Sequence, residues 1–168
     1  EMVIRDWSSD VCSSDLYTVF SGALNYGVYE STDSGVNWTV SRPGYFNCVA
    51  TDSDGSVVVL AEEYGAEYVS ADSGSTWTLI DVGSPSIAVY SFAVSGDGSK
   101  MIACVSGGSV YRSSDTGTTW TAVTGLPTGN WRDVDISTDG TRMVAVMTSG
   151  LLYISTDSGA TWTAPTMP

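Results

Sequence analysis

The sequence of 168 residues contains no histidine, and its 6 lysine and arginine residues stand against 19 aspartate and glutamate residues. Histidine is the commonest general base and metal ligand, so its absence removes the usual centre of acid–base or metal chemistry. The net charge of −13 comes without any basic patch, which argues against nucleic acid or an anionic membrane as a partner. We therefore expect no nucleic-acid partner, no cofactor and no metal.

Long apolar runs are also missing. No run approaches the roughly 20 apolar residues of a membrane-spanning helix, so we expect no membrane span. Four charged residues between positions 5 and 15 interrupt any apolar core that a signal peptide would need. The cysteines, Cys12, Cys48 and Cys104, show neither a pairing nor a zinc-binding spacing, so they do not indicate a compartment.

The chain does contain one eight-residue pattern, Ser-x-Asp-x-Gly-x-Thr/Asn-Trp, four times; we call it the box repeat. Boxes 1 to 4 occupy residues 31–38, 70–77, 113–120 and 155–162. Their aspartates are 39, 43 and 42 positions apart at Asp33, Asp72, Asp115 and Asp157. A period of this length indicates a repeat architecture.

Each box repeat has the residues of a tight hairpin turn. The aspartate can accept hydrogen bonds from backbone N–H groups two residues on, and the glycine takes a positive φ. The tryptophan then begins the next strand and covers apolar neighbours. Calcium binding or catalysis is the alternative for the aspartates, but catalysis needs one special copy. We therefore expect a structural role for Ser31, Asp33, Gly35, Trp38, Ser70, Asp72, Gly74, Trp77, Ser113, Asp115, Gly117, Trp120, Ser155, Asp157, Gly159 and Trp162.

The box repeat resembles the Asp-box, or BNR, repeat of sialidase-like β-propellers, whose pattern is Ser-x-Asp-x-Gly-x-Thr-Trp. Three copies match it fully, and box 1 departs only at Asn37. In that family the box joins the third and fourth strands of each blade, on the face away from the binding site. The resemblance implies an all-β fold, a partial β-propeller of three full four-stranded blades plus one incomplete N-terminal blade.

Short hydrophobic runs and turn residues divide the chain into blades at about 17–41, 45–82, 88–124 and 130–165. The Asp-Gly pairs at 54–55, 97–98 and 139–140 each predict a tight turn between the first two strands of a blade. The second strands, at 57–61 and 143–147, are apolar without alternation. This pattern indicates strands that are covered on both faces.

Residues 1–16 fit no repeat. Back-translation of residues 6–16 resembles a common sequencing-library adapter read in one frame, so we expect a non-native or disordered leader, with a natural polar linker as the alternative. Residues 17–168 are then expected to be a β-propeller fragment, because propellers typically have at least four blades. Closure of the ring would need the missing blades of a parent chain or self-association.

The loops opposite the boxes vary among the repeats, as functional loops on a fixed scaffold do. Their aromatic rings could stack on a sugar or a protein partner, and their charged groups could supply polar contacts. Inter-blade packing is the alternative for the tryptophan, and solvated surface is the alternative for the acids. The candidate ligand-binding residues are Tyr45, Glu62, Glu63, Tyr64, Trp131, Arg132 and Asp133.

No catalytic residue stands out. The arginine triad of a sialidase is not recognisable, and nothing singles out a carboxylate pair at the roughly 5–9 Å that a glycosidase needs. We predict a non-catalytic propeller module of a larger, exported protein, extracellular or periplasmic, which binds glycan or protein through its loops. The alternative is a fragment of a glycoside hydrolase, sialidase-like or xyloglucanase-like, that lacks its catalytic blades.

Overall fold

The computed structural model describes residues 16–21, 26–63, 65–83 and 89–166. Of the leader expected at residues 1–16, only Leu16 is described, and it begins a strand; the rest of the leader and the candidate Tyr64 lie outside the described residues. The described residues contain fourteen β-strands and no helix. The strands are β1 (Leu16–Ser21), β2 (Tyr26–Ser31), β3 (Thr39–Pro43), β4 (Phe46–Thr51), β5 (Val58–Glu62), β6 (Glu67–Ser70), β7 (Thr78–Ile80), β8 (Val89–Val94), β9 (Met101–Gly108), β10 (Val110–Ser113), β11 (Thr121–Ala122), β12 (Gly129–Ile136), β13 (Met143–Met147) and β14 (Leu152–Ser155).

The strands form successive antiparallel blades, which confirms the all-β partial propeller. Blade N contains β1, β2 and β3, which correspond to the second, third and fourth strands of the other blades because box 1 lies between β2 and β3. Blade A contains β4 to β7 in sequence order. Blade B contains β8 to β11, because β8 pairs with β9 and the order continues through β10 to β11. Blade C contains β12 to β14, and its fourth strand is reduced to a bridge between Ile154 and Thr163. The start of β12 also pairs with the end of β9, so blades B and C are joined into one seven-stranded sheet.

The second strand of each inner blade lies in the hydrophobic core. Residues 58–61 of β5 and residues 101–105 of β9 are all 0% exposed, so both faces of these strands are covered, which confirms the prediction for residues 57–61. For residues 143–147 the prediction is wrong: in β13 only one face is buried, through Met143 and Ala145, whereas Val144 and Val146 are half-buried. Within the described residues only blade B packs against this strand. Burial on both faces therefore depends on a blade on either side.

The box repeats form the predicted turns, with a different division of hydrogen bonds. In box 3 the Ser113 hydroxyl donates to Asp115 at 2.8 Å and accepts from the Gly117 N–H at 3.0 Å. Asp115 accepts instead from the backbone and the hydroxyl of Thr119, four residues on, at 2.8 and 2.6 Å. The sequence analysis expected the aspartate to accept from the N–H two residues on, which is that of Gly117. This N–H donates to the serine hydroxyl instead. The same arrangement occurs in boxes 1, 2 and 4.

Two consecutive residues in each box adopt positive φ. The glycine does so as expected, with φ of 77° at Gly117, and the preceding Thr116 does so as well, with φ of 55°. A non-glycine residue in this conformation is uncommon and needs local support. That support comes from its own backbone, because the Thr116 N–H donates to the Ser99 carbonyl of the same blade at 3.1 Å. Ser73 and Ser158 make the equivalent bonds to Ser56 and Thr141.

These bonds place the boxes and the Asp-Gly turns of each blade on one face, which we call the box face. Here the Ser53 N–H donates to the Gly96 carbonyl at 3.2 Å, and the Gly96 N–H donates to the Thr138 carbonyl at 2.8 Å. These three residues hold equivalent positions in blades A, B and C, so backbone hydrogen bonds connect blade to blade. The connections that lead into the first strand and those between the second and third strands lie at the other ends of the strands, on what we call the loop face.

We predict that Ser113→Ala destabilises the chain by about 1–3 kcal/mol, because it leaves the buried N–H of Gly117 without its acceptor. Ser114→Ala is the matched control, since Ser114 is the adjacent exposed serine. Equilibrium urea unfolding measures both variants. Equal stabilities of the two variants would contradict the assigned role of Ser113.

Candidate binding site on the loop face

The first strands of blades A, B and C share an irregularity at the same position. Each has a register shift beside its second strand, which leaves one extra residue: Asn47 in β4, Tyr90 in β8 and Arg132 in β12. All three extra residues are exposed, whereas the residues before them, Phe46, Val89 and Trp131, are buried. A β-bulge redirects a side chain in this way. The shared bulge therefore presents one polar or aromatic side chain per blade on the loop face.

Side chains at this level connect the neighbouring first strands. The Arg132 guanidinium lies over the Tyr90 ring, with its Cζ atom 4.3 Å from the ring centroid, and it donates a hydrogen bond to the Tyr90 hydroxyl. The Ser91 hydroxyl donates to Asp133 Oδ1 at 2.7 Å. The Asn47 amide donates to the Val89 carbonyl at 3.3 Å. We call these residues, Asn47, Tyr90, Ser91, Arg132 and Asp133, the inner-strand cluster.

Arg132 is the cation of this cluster. Within the described residues it forms no ion pair, whereas Arg42 lies 3.6 Å from a Glu62 carboxylate oxygen. Arg112 and Lys100 are held on the box face, where both contact Ser158 of box 4. The exposed Arg132 guanidinium is thus available to an anionic or carbonyl group in a chain that is otherwise strongly acidic.

Arg42 serves the junction between blades N and A. Its guanidinium carbon lies 3.9 Å from the Tyr68 ring centroid and 5.9 Å from that of Trp77. Trp77 differs from the other box tryptophans, whose indole N–H groups donate to the glycine carbonyl of their own box. Its buried N–H has no hydrogen-bond acceptor among the described residues. The candidate Glu62 belongs to the same junction, because its carboxylate lies 3.6 Å from the Arg42 guanidinium.

The remaining predicted residues are placed as follows. Tyr45 is 50% exposed, and its carbonyl accepts from the backbone N–H of the exposed Glu63 at 2.9 Å. Trp131 is 0% exposed and packs edge-on against Tyr153, with ring centroids 5.6 Å apart. Arg132 and Asp133 come together with Tyr90 and Ser91, whereas Trp131 offers no surface to a ligand.

Sequence analysis did not select Asn47, Tyr90 or Ser91. The signal that could have found them is the alignment of residues 46–48, 89–91 and 131–133, which follows from the box spacing. It places the three bulged residues at one position of the repeat. No residue type marks the bulge, so the exposure of these side chains could not be predicted from the sequence.

Glu67 is a further residue that the sequence analysis did not single out. Its side chain is buried, with 7% exposure, at the start of β6. Burial raises the pKa of its carboxyl to about 7, the negative charge of Asp81 adds to the rise, and a hydrogen bond from the Val89 backbone opposes it. This carboxyl lies beside the first residue of β8, one position before Tyr90.

The aspartates of the box repeats show the opposite behaviour. Hydrogen bonds from the hydroxyl and backbone of Thr161 and from Ser155 lower the pKa of Asp157 to about 2. The pKa values of Asp33, Asp72 and Asp115 are lowered by equivalent donors. In the described part of the chain, no group of three or more His, Cys, Asp or Glu side chains is arranged to hold a metal ion. The box aspartates thus act as acceptors within their own turns.

Comparison with known families gives the fold a family assignment. The profile of the DUF6242 beta propeller domain matches residues 46–168, from the first strand of blade A onward. The chain belongs to this family. No curated protein matches the sequence. Among the described residues, no helix has the length and apolar character needed to cross a membrane.

Solved structures with the same fold include enzymes and a peptide-binding protein. An ancestral GH74 enzyme matches 93% of this chain with a TM-score of 0.70 at 20% identity, over 23% of its own length. YCF48 bound to D1 peptide matches 89% with a TM-score of 0.63 at 20% identity, over 50% of its own length. The GH74 xyloglucanase from Xanthomonas campestris matches 90% with a TM-score of 0.60 at 17% identity, over 28% of its length. The chain therefore spans between 23% and 50% of the length of these proteins.

We predict that Tyr90 and Arg132 are energetically coupled by about 0.5–1 kcal/mol, the usual strength of an exposed cation–π contact. A double-mutant cycle with Tyr90→Ala and Arg132→Ala measures this coupling through urea unfolding. Arg142→Ala supplies the control, because Arg142 is an exposed arginine beside the Asp-Gly turn of blade C on the box face. Equal coupling of Tyr90 to both arginines would contradict the contact.

Proposed function

We propose that this chain is a non-catalytic β-propeller module that binds a protein ligand on its loop face, at the inner-strand cluster. The observation that carries the proposal is the Arg132 guanidinium. It is exposed, it is held against Tyr90, and it has no carboxylate partner within the described residues. A positive group that is fixed in place but not neutralised is suited to bind an anionic or carbonyl group of a partner.

The rigidity of this group supports binding. Stacking on Tyr90 and the hydrogen bond to its hydroxyl restrict the Arg132 side chain before any ligand arrives. Because the bond to Tyr90 uses one nitrogen of the guanidinium, other donors of the fork remain for a partner. A preorganised side chain loses less conformational entropy on binding than a mobile one.

The aromatic side chains favour a protein ligand over a glycan. A sugar stacks on an open ring face, but the guanidinium of Arg132 covers one face of Tyr90, and Trp131 is 0% exposed. Tyr45, at 50% exposure, is the more exposed of the two predicted aromatic residues that the structure describes. The likeness to YCF48 bound to D1 peptide also supports a protein partner. A glycan that uses Tyr45 is the alternative outcome.

We further infer that the box repeats are Asp-boxes of a larger, exported propeller protein. Each box connects the third and fourth strands of its blade, with the same serine and aspartate hydrogen bonds in all four copies. The chain also spans 23% to 50% of the similar solved structures named above, which supports a parent with more blades. The export of that parent rests on the resemblance to sialidase-like propellers.

A fragment of a glycoside hydrolase is the second candidate, because GH74 enzymes share the fold. The described carboxylates favour it less. Glu62 contacts Arg42, and Asp133 accepts from Ser91. Glu67, whose raised pKa would suit a general acid, is buried between blades A and B rather than exposed.

We predict that the 168-residue chain binds a subset of peptides on an array, and that Arg132→Ala and Tyr90→Ala each weaken the binding at least roughly tenfold, the loss expected for a charge-assisted hydrogen bond. Arg142→Ala is the charge-matched control and leaves the affinity unchanged. Fluorescence anisotropy with the peptides that bind gives the dissociation constants.

Two outcomes would count against this assignment. Peptide binding that survives Arg132→Ala would place the site elsewhere. Hydrolysis of xyloglucan by the chain, lost in Glu63→Gln or Asp133→Asn, would favour the glycoside hydrolase instead.

A further inference from the structure

We propose that Glu67 is a positioning residue of the loop-face site: its buried carboxyl fixes the first residue of β8 and so holds Tyr90 against Arg132. The proposal concerns the arrangement of the site, and its consequence for binding rests on the proposed function. It depends on the place of Glu67 in the repeat, on the size of the residue it faces, and on a second side chain that acts on the same residue.

Glu67 occupies an apolar position of the repeat. It lies three residues before the box serine, where the other blades have Val28, Val110 and Leu152. Val28 and Val110 are 0% and 1% exposed, so the position faces the interior between blades. A carboxyl group in such a place costs free energy unless it is hydrogen-bonded. Its presence in one blade therefore calls for a specific partner.

The partner of Glu67 is the residue that faces it from the next blade. Val28 shares a buried cluster with Phe46, and Val110 shares one with Trp131. The equivalent residue opposite Glu67 is Val89, which is smaller than phenylalanine or tryptophan. Because interiors are close-packed, the longer glutamate side chain takes the space that a smaller residue leaves. Its carboxyl then accepts a hydrogen bond from the Val89 backbone N–H.

A second side chain of blade A holds the other polar group of the same residue. The Asn47 amide donates to the Val89 carbonyl at 3.3 Å. Asn47 from β4 and Glu67 from β6 thus fix both the N–H and the C=O of Val89. The next residue in the chain is the bulged Tyr90, whose ring meets Arg132. Blade A therefore sets the geometry of a contact between blades B and C.

The charge state of Glu67 offers a way to observe this role. Its pKa is raised to about 7 from an ordinary value of 4.5, and Asp81 is the charged group that adds to the rise. The folded state therefore holds the proton more tightly than the unfolded state does. The free energy of unfolding falls as the pH rises from about 4.5 to about 7, and this contribution is constant outside that window.

We predict that the signals of the Val89 and Tyr90 backbone amides, and of the Arg132 side-chain N–H, shift together as Glu67 loses its proton near neutral pH, in the nuclear magnetic resonance spectra of the 168-residue chain. Glu67→Gln abolishes the titration but keeps the signals, because the amide oxygen still accepts from Val89. Glu63→Gln is the matched control, an exposed glutamate near the same loop, and it leaves the titration in place.

A second test is Glu67→Val, which introduces the residue found at this position in blades N and B. It removes the acceptor without burying a charge, so the chain stays folded. Exchange of the Val89 amide with solvent then rises roughly fivefold to tenfold, as the loss of an ordinary hydrogen bond implies. The Arg132 signal moves toward its position in Tyr90→Ala.

The proposal is overturned if the Val89 and Arg132 signals do not follow the titration of Glu67 in the wild-type chain, or if Glu67→Val leaves these signals and the exchange of the Val89 amide unchanged. None of these measurements uses a ligand. If no peptide on the array binds, the proposed function is contradicted but the role of Glu67 is not. If the Glu67 measurements fail, the role of Glu67 is contradicted but the proposed function is not.

Discussion

Packing of one blade against the next is the constraint on which this structure depends. A four-stranded sheet has two faces, and the second strands β5 and β9 are apolar on both, so each needs a neighbour on either side. The three buried clusters that the described residues form correspond to the three junctions between successive blades. The packing of a residue at a junction therefore depends on the residue that it faces in the next blade, as the pairs Val28 with Phe46 and Val110 with Trp131 show.

The hydrogen bonds of the box face make this packing regular. Each box ties the third and fourth strands of its blade, and the backbone bonds through Ser53, Gly96 and Thr138 tie one blade to the next. Gly96 has no room for a side chain, because an added Cβ atom would lie 2.4 Å from the Thr138 methyl group. With the box face fixed in this way, the loop face is left to vary, and the inner-strand cluster uses that freedom.

Much of this fold could be predicted from the sequence, because its main determinants are local. The box residues and the Asp-Gly pairs encode their turns within eight residues, so the period, the blades and the box face follow from them. Arg132 and Asp133 were identified from the loop in which they lie. Tyr90, Ser91 and Glu67 were not, because their roles depend on a bulge and on contacts between blades, to which residues about 40 positions apart contribute. The burial of Trp131 is likewise a property of the junction.

The backbone bridge from Ser53 through Gly96 to Thr138 has a consequence for how such chains can change in length. The Asp-Gly turns it joins all have the same number of residues, and an insertion there would break the register between blades. On the opposite side, the described residues show backbone pairing between blades only where the end of β9 meets the start of β12, and the lengths of these connections already differ from blade to blade. Gene duplication can thus add a whole blade at the natural period, while point insertions accumulate on one side. New specificity in this architecture would arise on that side, without disturbing the spacing that holds the ring.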